Sequence, residues 1–139
     1  GLKVLSSRYT ILDVQNKSTS SIRQIEAHLV LHEKGTVSDR ALQDIIRHAV
    51  KKLRRRRVRK TNLLGGRGWP GRPDCIRIRL YARERRIRTL MSYSWKDKEL
   101  ILIAEWLSSR KSVRPFYTEE PDIVLGDIRI KYNPNLLQF

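Results

Sequence analysis

A chain of 139 residues with 40% hydrophobic content is long enough for one domain with a real core, which excludes wholesale disorder. Its formal net charge of +16 points to an anionic partner rather than to any particular fold. Cys75 is the only cysteine, which excludes an intrachain disulfide and a Cys-based zinc site.

The charge is not spread evenly. Residues 1–46 hold six Lys/Arg against five Asp/Glu, and residues 89–139 hold seven against seven. Residues 47–88 hold seventeen against two, so the excess sits in one block and argues for a localised binding surface. Arg outnumbers Lys by 20 to 10. A guanidinium presents a planar fork of donors that matches phosphate, whereas an ammonium acts as a point charge.

In chain order, Arg8–Val14 suggests a first strand, with Tyr9, Ile11 and Asp13 on one face and Thr10, Leu12 and Val14 on the other. A polar turn cluster follows at Asn16–Ser21. Ile22–His32 then alternates, placing Ile25, Ala27, Leu29 and Leu31 inward and Gln24, Glu26, His28 and His32 outward, so the two strands are expected to form a hairpin. His28 and His32 have the spacing of a helical metal pair, but on a strand they are too far apart to share an ion, and solvated histidines are expected.

Gly35 breaks the strand, and Thr36 or Ser38 can cap a helix with Asp39 in its first turn. Leu42, Ile45, Ile46, Ala49 and Leu53 form its apolar stripe. Continuing the stripe would bury Arg56, Arg57 and Lys60, so the helix must leave the core or end near Leu53. Asn62–Asp74 is a Gly/Pro-rich loop containing Gly66-x-Gly68-x-x-Gly71. A dinucleotide fingerprint needs a strand before those glycines and a helix after them, and here the order is reversed.

Cys75–Arg83 reads as the clearest strand, with Ile76, Ile78, Leu80 and Ala82 inward and Arg77, Arg79, Tyr81 and Arg83 outward. A turn at Glu84-Arg85 leads to an expected partner strand at Ile87–Trp95. Asp97–Lys111 reads as a second helix, apolar almost all round through Leu100, Ile101, Leu102, Ile103, Ala104, Trp106 and Leu107. The longest purely apolar run, Leu100–Ala104, is far too short to span a bilayer. Ile123–Tyr132 reads as a hairpin turning at Gly126-Asp127, and Leu136, Leu137 and Phe139 make an apolar tail expected to dock on the domain. The order ββα-ββα-ββ predicts an α+β single domain over residues 1–139, a mainly antiparallel sheet of about six strands with two helices on one face.

The functional expectation rests on the basic block. Lys51, Lys52, Arg54, Arg55, Arg56, Arg57, Arg59 and Lys60 run into the loop with Arg67 and Arg72, and Arg77 and Arg79 follow on the strand. Such a track suits phosphates, and Trp69, between Gly68 and Pro70, suits stacking on an unpaired base. The expected function is non-catalytic, low-specificity nucleic-acid binding, with RNA ahead of DNA, by an intracellular protein of nucleus or cytoplasm that also self-associates. Pro73-Asp74 with Glu84-x-Arg86 has the outline of a metal-dependent nuclease, but Arg stands where Lys belongs and acids are scarce nearby, so no cofactor, metal or catalytic residue is expected. The alternative is a viral matrix-type assembly protein that binds an anionic membrane surface or a nucleocapsid. A third reading takes Leu53–Lys60 as a nuclear localisation signal for an import receptor.

Overall fold

The computed structural model describes residues 8–32, 37–61, 67–82, 95–108 and 120–135. Strand β1 (Tyr9–Asn16) pairs antiparallel with β2 (Gln24–Leu31). Helix α1 (Asp39–Leu53) then carries the chain to a two-stranded ribbon of β3 (Val58–Thr61) and β4 (Arg67–Gly71). Strand β5 (Cys75–Tyr81) returns to the main sheet beside β2 and parallel to it, and a parallel neighbour demands such a long crossover. Strands β6 (Leu100–Leu107), β7 (Ile123–Leu125) and β8 (Ile128–Tyr132) complete six strands in the order β1-β2-β5-β6-β8-β7, and every pair except β2–β5 is antiparallel. The protein is therefore α+β with a mostly antiparallel sheet.

The helix starts and stops where its side chains require. The Ser38 hydroxyl accepts the Ala41 N–H at 3.2 Å, Asp39 supplies a negative charge to the first turn, and Leu53 is the last helical residue. Leu42, Ile45, Ile46, Ala49, Val50 and Leu53 are buried against the sheet face made by Ile25, Ala27, Leu29, Ile76, Ile78, Leu80, Leu102, Ala104 and Ile130. Gly126 takes φ 61° at the first central position of the two-residue turn between β7 and β8, where a glycine-led hairpin needs it.

Three expectations change. The segment expected as a second helix is β6, which pairs with β5 and β8 along its edges and packs one face in the helix-covered core and the other in a smaller cluster; α1 is the one helix among the described residues. A strand buried on both sides needs a continuous apolar run, and over eight residues such a run cannot be told from a buried helix by periodicity. β5 pairs with β2 and β6, not with a strand at Ile87–Trp95; residues 83–94 lie outside the described residues, as do Thr36 and the apolar tail. In β1 the simple alternation fails because a bulge falls between Ile11 and Asp13. Tyr9, Ile11 and Val14 join the helix-covered core, while Leu12 packs in a smaller cluster with Val30, Tyr81, Leu100 and Ile103, and Asp13 stands opposite His28.

Candidate nucleic-acid interface

The basic track begins where the helix stops. Lys51 and Lys52 are exposed in the last turn of α1, and Arg54, Arg55, Arg56 and Arg57 are all exposed in the connection to β3. Val58 then returns to the core, which anchors the ribbon at its base. Arg54 lies over the Trp106 ring, its guanidinium carbon 4.5 Å from the centroid, so its charge stays at the surface while its plane is held by the sheet.

The ribbon carries the rest. Arg59 is exposed and donates to the Gly68 carbonyl at 3.3 Å, and its own carbonyl accepts from Asn16 Nδ2 at 3.0 Å. Trp69 is 87% exposed, and with Val124 it makes up the exposed large hydrophobic residues among those described. Arg72 is exposed just past the end of β4. Lys60 is half-buried and engaged within the protein, and Arg67 opens β4 opposite Thr61.

One residue outside the predicted set positions this surface. Arg23, just ahead of β2, donates from Nε to the Val58 carbonyl at 3.0 Å and from Nη2 to the Trp69 carbonyl at 2.8 Å. Its backbone is tied to β5, since its N–H donates to the Asp74 carboxylate at 2.9 Å and its carbonyl accepts the Asp74 and Cys75 N–H groups at 2.7 and 3.1 Å. Gly71 leaves room for this guanidinium: a Cβ on it would stand 2.7 Å from Arg23 Cζ, so the Arg23 side chain would have to shift. Nothing in a polar stretch such as STSSIR signals that its arginine will clamp a hairpin 35 to 46 residues away. Asp74, the first acid of the nuclease-like outline, is thus a buried backbone acceptor.

Arg77 and Arg79 do not belong to the exposed track. Both lie on the sheet face away from α1, as the alternation predicts, but that face is not open to solvent. Arg79 is 5% exposed, donating from Nη2 to Glu26 Oε1 at 3.1 Å and from Nη1 to His28 Nε2 at 3.3 Å. His28 is fully buried rather than solvated, and its Nδ1 lies 2.5 Å from Asp13 Oδ1. A guanidinium can only donate, so Nε2 is the acceptor and Nδ1 carries the proton toward Asp13. Arg77 Nε donates to buried Glu105 at 3.0 Å. Removing these charges from water is tolerable only because each meets an opposite charge in hydrogen-bonding geometry. The ladder is a structural core of ion pairs.

A second polar contact sits behind the helix end. Tyr9 Oη and His48 Nδ1 are 2.6 Å apart. Burial pushes the Tyr9 hydroxyl up to about 12, and burial together with the nearby Lys52 and Lys51 charges pushes His48 below its ordinary range. The phenol therefore donates and a neutral imidazole accepts. Burial likewise pushes the Cys75 thiol up to about 12, keeping it protonated and unreactive.

Among the described residues, no group of three or more His, Cys, Asp and Glu side chains is arranged to hold a metal ion, and no helix is long and apolar enough to cross a membrane. No protein-family model, curated protein or solved structure matches the chain.

Proposed function

We propose that the protein binds nucleic acid, RNA in the first instance, through phosphate contacts from the end of α1 and the β3–β4 ribbon. The supporting observation is a juxtaposition: exposed Arg54–Arg57, Arg59 and Arg72 share one side chain-rich stretch with an exposed indole on an anchored ribbon. Polyanion binding alone needs only the charges, whereas an exposed Trp among them suits a ligand that carries aromatic bases as well as phosphates. The site is smaller than the sequence implies, because Arg77 and Arg79 are committed to the buried ladder.

Affinity on this reading depends on released counterions. The logarithm of the association constant falls linearly with the logarithm of salt concentration, with slope about −0.7 per phosphate neutralised on a single strand. Replacing Arg54, Arg55, Arg56 and Arg57 together by Ala lowers affinity and makes that slope shallower by up to about 3. Fluorescence anisotropy with a labelled oligoribonucleotide between low and moderate salt measures both. A slope unchanged by the four substitutions removes these residues from the interface, and salt-independent binding refutes the reading.

A further inference from the structure

Duplex and single strand offer different things to an indole. In a duplex each base face is covered by its neighbours and only base edges are reachable in the grooves. An indole can stack only on a base whose face is open. Trp69 is 87% exposed, so its ring is available to a partner. The strand around it reads Gly68-Trp69-Pro70-Gly71, so neither chain neighbour of the indole carries a hydrogen-bonding side chain to read a base edge. Pro70 fixes the backbone that follows the indole.

The ring is exposed, but its backbone is not loose. Arg23 holds the Trp69 carbonyl at 2.8 Å and the Val58 carbonyl at 3.0 Å, and Val58 is buried in the core. Ordering of the platform is therefore largely complete before a ligand arrives. Arg59 pairs across the ribbon with Pro70, the neighbour of Trp69, and Arg72 follows Gly71, so two cationic groups adjoin the indole on the side of the ribbon nearer its base.

From this we infer that the ribbon is a single-strand-specific element: Trp69 stacks on one unpaired base, with little preference for which base, while Arg59 and Arg72 hold the adjoining phosphates. The inference rests on the nucleic-acid reading of the basic surface and names the ligand class for it. Arg23 is a positioning residue that sets the pose of the platform and does not touch the ligand.

The test compares three probes of one length: a single-stranded oligonucleotide, the same strand with abasic sites in place of its bases, and the corresponding duplex. Wild type should bind the base-bearing single strand more tightly than the abasic strand. Trp69→Ala should lose roughly 5- to 150-fold on the former and nothing on the latter, with Trp69→Phe retaining most of the affinity. A second measurement does not depend on the Ala variant. Adding the single strand should quench fluorescence in wild type beyond what it does in Trp69→Phe, and the abasic strand should not. If Trp69→Ala binds all three probes as wild type does, or the quenching is the same for base-bearing and abasic strands, the stacking inference is overturned while the phosphate reading stands. If none of the probes binds even at low salt, the nucleic-acid reading itself falls.

Discussion

Arg59 and Arg79 are both read from the sequence as outward-facing arginines of a basic track, and their environments are opposite. Arg59 is exposed, whereas Arg79 is 5% exposed and pairs with Glu26, an acid 53 positions away. Strand alternation states correctly that Arg77 and Arg79 point away from Ile76 and Ile78. It cannot state whether that second face meets water, because its acids come from β2 and β6 and reach it only through the sheet order. His28 was misplaced for the same reason. The difference has a measurable consequence: Glu26→Ala takes the carboxylate from a buried guanidinium, and breaking a buried pair in this way costs about 3–5 kcal/mol. Urea unfolding of the variant should show that loss, whereas Arg59→Ala, at an exposed site, should change stability by less than about 1 kcal/mol. Equal, small effects for the two would mean that the ladder is not structural.

At the scale of elements, legibility followed period and length. The amphipathic stripe of α1 is five residues at helical spacing with a Ser cap, and the structure ends it at the residue beyond which the stripe would bury arginine. The β7–β8 hairpin turns at the Gly-Asp pair the sequence marks. β6 was not legible as a strand, since Leu100–Leu107 is apolar almost all round, Glu105 apart, and only its place between β5 and β8 decides its conformation. Strand β4 hid inside what reads as a Gly/Pro loop and β3 in the tail of the basic run, because glycine and proline weaken strand propensity while bonds from Arg23 supply what propensity lacks. If that clamp holds the ribbon, Arg23→Ala and Gly71→Ala act on the same contacts, the first by deletion and the second by displacing the guanidinium. Each should cost about 1.5–3 kcal/mol, the range for hydrogen bonds to a charged group. The double variant should be little worse than Arg23→Ala alone, measured as a double-mutant cycle in urea. Additive losses would show that Gly71 is needed for some reason other than Arg23.

Across the whole molecule, charge is divided between two uses. The sheet interior consumes Arg77 and Arg79 in pairs, while among the described residues the exposed cations Lys51, Lys52, Arg54, Arg55, Arg56, Arg57, Arg59 and Arg72 gather around the end of α1 and the ribbon, a like-charged surface that favours an anion. Half-buried His48 reports on that field. Its imidazole is held below its ordinary value of 6.5 first by burial, then by the Lys52 and Lys51 charges. In the folding equilibrium the sign is fixed: above about pH 6.5 neither state is protonated at this site and stability is unaffected. Below it the unfolded chain takes the proton first, so stability falls as pH drops toward the lower folded value. In the binding equilibrium a polyanion on Lys51 and Lys52 cancels the charge component but not the burial component, which raises His48 partway back. The complex then holds more protons than the free protein, and affinity must rise as pH falls between the free and bound values. Binding isotherms from pH 7.5 down to 5.5, run on wild type and His48→Gln, isolate this contribution, because every other titratable group is common to both proteins. A pH dependence that is the same in the two proteins would place the bound phosphates away from the last turn of α1 and confine the interface to the ribbon.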